Sequence, residues 1–205
     1  MADRPYHHGD LRSALLTRAE HTLRESGVDS LSLRELARDI GVSHAAPRRH
    51  FRDKAALLDA LATEGFHRLG KALERATHTE HESFVAMLTD VAVSYVQFAT
   101  ESPALLELMF TSKHGADASA ELHAAAGATF SQLEALVSKG QQQGELIDGD
   151  LELIGTVLFA TLQGITSLAN TQMVDRSALD QLTAYAVQSL LTGLAPRRRS
   201  AQPVG

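Results

Sequence analysis

Between Val42 and Lys54 the sequence reads VSHAAPRRHFRDK, so that Arg48, Arg49, Arg52 and Lys54 crowd together with His44 and His50. Such a group suits phosphate. Each arginine offers a planar fork of donors that can hold an oxyanion in two places, and lysine offers a compact point charge. The chain as a whole is acidic, with a formal net charge of -6. Residues 1–55 hold 10 Lys and Arg against 8 Asp and Glu, with five of the ten histidines; the remainder holds 9 against 17. A basic end on an acidic body points to a polyanionic partner for the first part only. By itself a basic cluster is usually a solvated face. Its meaning depends on the elements that carry it.

Other chemistries find little support. There is no cysteine, which excludes disulfides and thiolate metal sites. No Ser-His-Asp order, metal-ligand trio, phosphate loop or paired carboxylates stand out, so catalysis on an all-α scaffold is the weakest reading. His7 with His8, and His78 with His81, lack an evident third ligand; neither a metal nor another cofactor is expected. The first residues, MADRPYHH, lack the apolar stretch of a signal peptide. Residues 154–174 carry no charge, but Thr156, Thr161, Gln163, Thr166, Ser167, Asn170, Thr171 and Gln172 interrupt them. A membrane span needs about 20 predominantly apolar residues. A helix buried between protein surfaces fits better, in a cytoplasmic protein with no membrane partner.

Composition and periodicity point to an all-α fold. Hydrophobic residues make up 44% of 205, with no tryptophan, so the core must be mostly Leu, Ala and Val. Residues 1–9 read as a flexible arm. Residues 10–26 form a first helix, with Leu11, Leu15, Ala19 and Leu23 on one face, Asp10 as its cap and Gly27 past its end. Ser32 and Glu35 form a capping box opening a second helix, which Gly41 ends. Ser43 opens a third, to about His50. Pro47 falls at its fourth position, removing one N–H, and predicts a distorted first turn. Asp53 caps a fourth helix to about Thr77. Further helices follow over residues 82–101, from Ser102-Pro103 to Lys113, from Ala118 to about Gln143, and over 151–174 and 177–194. The boundaries expected are a basic, polyanion-binding domain over 10–55, a helical body over 56–195 and a disordered basic tail over 196–205.

The second and third helices, joined across Gly41, form a helix-turn-helix. The turn needs a residue at positive φ, and the helix crossing needs a small Ala37. Residues 6–54 resemble the N-terminal domain of TetR/AcrR-type transcriptional regulators. The matches are the spacing from Gly27 to Ser32, Leu36-Ala37, Gly41-Val42-Ser43, His50-Phe51 and Asp53-Lys54-x-x-Leu57. The resemblance implies a homodimer on a palindromic double-stranded operator, with the third helix in the major groove. It places Ser43, His44, Ala45 and Arg49 near base edges or phosphates, Arg34 at the groove rim, and His50 and Lys54 on phosphate. Phe51 anchors the segment to the core. Arg48 stands where the family usually has Tyr, so the salt dependence should steepen by about one counterion per half-site.

The same resemblance gives the body two tasks, dimerisation and effector binding. Two apolar stripes on the last helix, one through Leu182, Ala186 and Leu190, imply a partner helix, together with the uncharged face of Ala160, Gly164 and Leu168. An apolar small-molecule effector would be held among Met87, Val91, Tyr95, Phe98, Met109, Phe110, Phe130, Phe159 and Gln163. Met and Phe at helical spacing serve equally as core. The function expected is a ligand-responsive repressor, with the fourth helix as lever. The alternatives are a regulator whose body binds a protein partner and, least favoured, an all-α enzyme.

Overall fold

The computed structural model describes residues 8–115 and 117–194. Among them the chain forms eight α-helices and no strand: α1 (His8–Ser26), α2 (Leu33–Asp39), α3 (Lys54–His78), α4 (Phe84–Glu101), α5 (Pro103–Lys113), α6 (Ala120–Gln142), α7 (Leu151–Asn170) and α8 (Leu179–Leu194). Short 3₁₀ turns cover Val28–Ser30, Pro47–Arg49 and Arg176–Ala178. The expected tail at 196–205, with Arg197, Arg198 and Arg199, lies outside the described residues. So does most of the expected arm over 1–9, with His7; its last two residues already belong to α1.

The contacts divide the chain into two units. The first takes the chain up to Leu69 together with Glu101–Thr129. Its core follows from the apolar stripes: Leu15 and Ala19 of α1, Leu36 and Ala37 of α2, Leu57 and Phe66 of α3, Met109 of α5 and Leu122 of α6 are all buried. Helix α5 joins this unit by packing on α1. Gly65 lets it come close to α3, since a Cβ there would lie 2.6 Å from Met109 Sδ. The rings of Phe66 and Phe110 meet edge to face at 6.1 Å. Arg18 pairs with Asp39 at 2.8 Å, and Arg68 with Glu20 at 2.9 Å. Asp53 opens α3 by accepting from the Ala56 amide at 2.8 Å.

The second unit takes Gly70–Thr100 and the chain from Phe130 on. Helix α4 buries Met87, Val91, Tyr95 and Ala99 in it. Asp150 caps α7, accepting from the amides of Glu152 and Leu153 at 2.9 and 3.2 Å. Asp175 does the same before α8, accepting from the Ser177 amide at 2.8 Å and its hydroxyl at 2.6 Å. Those two bonds hold the Asp175 carboxyl below the usual carboxylate range. Helix α8 packs on α7.

Several local expectations change. Helix α1 begins at His8 rather than Asp10, so Asp10 lies inside the helix and is not its cap. Helix α7 stops at Asn170 rather than Val174, because Gln172 takes a left-handed φ of 59°. The amides of Gln172 and Met173 then bond back to the carbonyls of Ala169 and Leu168, a Schellman closure. The last helix is a 3₁₀ turn running into α8. At the start of α2, Ser32 holds the extended N-cap backbone, but its hydroxyl makes no capping bond, so the capping box is not closed.

Candidate nucleic-acid interface and apolar cavity

Gly41, at φ 74°, lies just past α2. Its amide bonds Arg38 O at 3.2 Å, and the Val42 amide bonds Ala37 O at 2.9 Å. This double closure needs the left-handed conformation that glycine tolerates. It turns the chain sharply away from α2, while Leu36 and Ala37 stay buried.

The expected helix from Ser43 to His50 is replaced by a turn and a single 3₁₀ segment, Pro47–Arg49. The cause is Pro47. With no N–H there, the Ser43 carbonyl accepts from Ala46 instead, at 3.0 Å, and Ala46 O accepts from Arg49 at 3.2 Å. Most of the segment thus carries i→i−3 bonds in place of an i→i−4 ladder. Pro47 and Phe51 are both buried and pin the segment's two ends. The carbonyl of Pro47 accepts from the amides of His50 and Phe51, each at 2.9 Å.

What remains outside is cationic and polar. Ser43, His44, Ala45, Arg48 and Arg49 are exposed, as is Arg34 on α2, and His50 and Lys54 are half-buried. Among the described residues, the ion pairs of this unit engage Arg18, Arg24, Arg38, Arg52 and Arg68. Arg34, Arg48 and Arg49 stand outside these pairs, with their charge directed to solvent. Lys54 differs: its Nζ donates to Asp29 O at 3.2 Å, which ties it to the turn before α2. Arg12 is a cation the sequence reading passed over. Its guanidinium lies 5.6 Å from the Phe51 ring centre, beside the basic segment. Its place on α1, one residue after a core leucine, carried no distinguishing signal.

The second unit contains an apolar cavity of about 50 Å³ between three helices. Helix α4 contributes Leu88, Val91, Ala92 and Tyr95; α6 contributes Leu133, Leu136 and Val137; α7 contributes Gly155, Leu158, Phe159 and Leu162. Of the residues named from sequence, Val91, Tyr95 and Phe159 line it. Gln163 lies next to it, accepting from the Tyr95 hydroxyl at 2.6 Å. Phe130 packs on Phe159 with ring centres 6.3 Å apart, and Phe159 packs on Tyr95 at 5.7 Å. Burial pushes the Tyr95 phenol well above its ordinary pKa.

The other candidates lie elsewhere. Met87 is buried, with Lys139 Nζ 3.8 Å from its sulfur, and Phe98 is half-buried away from the lining. Met109 and Phe110 belong to the first unit. The missed wall residues, such as Leu133 and Leu136, were visible as a stripe; wall and core share one helical spacing, so the stripe did not separate them.

Helices α7 and α8 show a broad apolar exposure. Leu153 is 66% exposed, Val157 49% and Tyr185 74%. Ala160, Gly164 and Leu168 are exposed with them, while Leu182, Ala186 and Leu190 are half-buried. Among the described residues α7 alone is long and apolar enough to cross a membrane by length and composition. The other histidines named from sequence have local partners: His78 Nδ1 lies 2.8 Å from Glu74 O, and His81 Nε2 lies 3.1 Å from Asp90.

A helix ended by a glycine turn and followed by a short 3₁₀ segment that presents Arg48 and Arg49 to solvent has the layout of a helix-turn-helix whose second helix is cut short. Residues 15–61 match the family model for bacterial regulatory proteins of the tetR family, and residues 88–191 match a tetracyclin repressor-like C-terminal domain. The chain belongs to the TetR family, whose members are DNA-binding transcriptional regulators rather than enzymes. A curated relative, an HTH-type transcriptional repressor of Mycobacterium tuberculosis, is 33% identical over 87 residues, covering 42% of this chain and 43% of that protein. The match thus spans less than half of that relative's length. A solved structure from Rhodococcus sp. RHA1, of a protein with unknown function, is 45% identical over 95% of this chain and 100% of that chain, with TM-score 0.87. The fold is also shared with the fatty acid degradation regulator FadR from Bacillus halodurans. That structure has 18% identity, TM-score 0.71, and coverage of 89% of this chain and 98% of that one.

Proposed function

We propose that this protein is a homodimeric repressor that binds a palindromic DNA operator and is released from it by an apolar small molecule. The observation that carries the reading is the segment Ser43–Arg49, anchored by buried Pro47 and the following Phe51, with Ser43, His44, Ala45, Arg48 and Arg49 exposed and both arginines outside the ion pairs of the described residues. Arginines left unpaired on an acidic protein are free to replace counterions on a phosphate backbone. Ser43, His44, Ala45 and Arg49 are the candidates for base edges and nearby phosphates, with Arg48, His50 and Lys54 on the backbone and Arg34 at the rim.

Dimerisation is supported by the uncovered apolar residues of α7 and α8, which a symmetric four-helix interface would bury. A two-fold dimer places two basic segments in successive major grooves only at a centre-to-centre spacing of about 34–36 Å. The apolar cavity supports effector binding. An occupant favouring another spacing would weaken DNA binding by its differential affinity for the two states. Helix α3, unbroken from Lys54 to His78, is the proposed lever.

The test is selection of binding sites from a random duplex pool with the purified full chain. The expected product is a two-fold symmetric site with half-sites one helical turn apart, or a multiple of it. Recovery of no enriched sequence, or of single asymmetric half-sites, removes the proposal.

A further inference from the structure

The cavity between α4, α6 and α7 has a chemistry narrower than apolar. None of its lining residues carries a charge, and Tyr95 brings the one polar group of the wall. The Tyr95 side chain is buried, and its hydroxyl is already engaged as a donor to Gln163 Oε1 at 2.6 Å. A phenol that donates one bond still offers acceptor lone pairs. A ligand hydroxyl or N–H can therefore bond to Tyr95, and a ligand acceptor can take the place of Gln163. A carboxylate or ammonium would leave its water with no opposite charge to meet it, which is the costly form of burial. A phenol whose ionisation is suppressed by burial cannot become the counter-ion of a cation either.

We infer that the cavity selects a neutral, compact hydrocarbon carrying one hydrogen-bonding group, read by the Tyr95–Gln163 pair, and excludes carboxylates and amines. The inference rests on the effector reading above and narrows it to a ligand class. The cavity of about 50 Å³ has room for only a few water-sized groups, so a larger occupant must spread the three helices. Ala92 is a buried wall residue on α4, and Ala92→Val fills the cavity from that side.

The test is calorimetric titration of the full chain at pH 7 with three probes of one ring: cyclohexanol, cyclohexanecarboxylate and cyclohexylammonium. Cyclohexanol is expected to bind at least about tenfold more tightly than either ion, since an unpaired buried charge is far costlier than a paired hydroxyl. Tyr95→Phe should weaken it by about three- to tenfold, the worth of one neutral hydrogen bond. Ala92→Val should abolish saturable binding, with circular dichroism confirming the fold. Equal affinity for either ion overturns the inference. So does no saturable binding of cyclohexanol, or binding that survives Ala92→Val. The two readings fail separately. Cyclohexanol binding with the expected selectivity, but without change in DNA affinity, supports the ligand class and removes the effector role. A carboxylate that binds and releases DNA does the reverse.

Discussion

Asp59 on α3 accepts two hydrogen bonds from Ser119, one from its amide at 2.9 Å and one from its hydroxyl at 2.6 Å. The same Ser119 hydroxyl oxygen accepts from the Leu122 amide at 3.0 Å, which makes Ser119 the cap of α6. One carboxylate thus fixes both the position of the α6 start and the orientation of its cap. Asp59→Ala removes both bonds and leaves Ser119 partly buried. The expected loss is about 1.5–3 kcal/mol, as for hydrogen bonds to a charged group. Urea unfolding should show it as a lower midpoint at unchanged slope.

The two exposed arginines of the basic segment should separate by salt. Arg49→Ala is expected to weaken specific binding by about 1–3 kcal/mol and relax discrimination at one position. Arg48→Ala should weaken binding to all sequences alike and reduce the salt slope by about one counterion per half-site. Fluorescence anisotropy over a salt series on a selected operator distinguishes them.

Two glycines of α6 should respond with opposite sign. At Gly140 an added Cβ would lie 2.5 Å from the Phe84 ring and 2.8 Å from Leu146, both buried. Gly140→Ala should destabilise by about 1–3 kcal/mol, the usual cost of overpacking. At Gly127 a Cβ meets nothing within 4 Å. Gly127→Ala should stabilise by up to about 1 kcal/mol through helix propensity. Thermal unfolding of the pair reads both.

Val157 and Leu168 are the positions at which to test self-association. A glutamate at either faces solvent in the isolated chain and would be an unpaired charge in a buried interface. Val157→Glu and Leu168→Glu should yield a folded monomer by sedimentation velocity where the parent sediments as a dimer. A parent that is itself monomeric at micromolar concentration contradicts the proposed assembly.

Gln172 ends α7 at a φ of 59°, a conformation in which a Cβ is strained. Gln172→Gly should relieve about 1 kcal/mol and raise the unfolding temperature, the reverse of what glycine does inside a helix.

Much of this architecture was legible in the sequence because single residues carried it. Gly27 and Gly41 occur at positive φ where the helices end, Asp53 caps as its type suggests, and the stripe of Leu11, Leu15, Ala19 and Leu23 is buried. Illegible features were those in which a residue does something its type rarely does. Glutamine at 172 closes a Schellman turn that glycine would have announced. Pro47 was visible as a disturbance, but its extent was not: how many i→i−4 bonds survive a lost N–H depends on whether the chain can tighten to i→i−3 instead. The cavity was legible only in part, because an apolar wall facing space and an apolar wall facing another helix are written in the same residues. Tyr95 and Gln163 were both visible, but nothing in a spacing of 68 residues linked the hydroxyl of one to the amide of the other.

Helix α7 has two careers on one axis. Leu158 and Leu162 line the cavity, while Leu153 and Val157 look outward, only a residue or a turn away. A helix turns as a unit, so a roll that enlarges the interior also redirects the outer leucine and valine. Engineering sensitivity to a new inducer from this helix would therefore perturb assembly with it. Changes made on α4 or α6 leave the outer surface untouched, and a designer who wants the two properties independent should begin there.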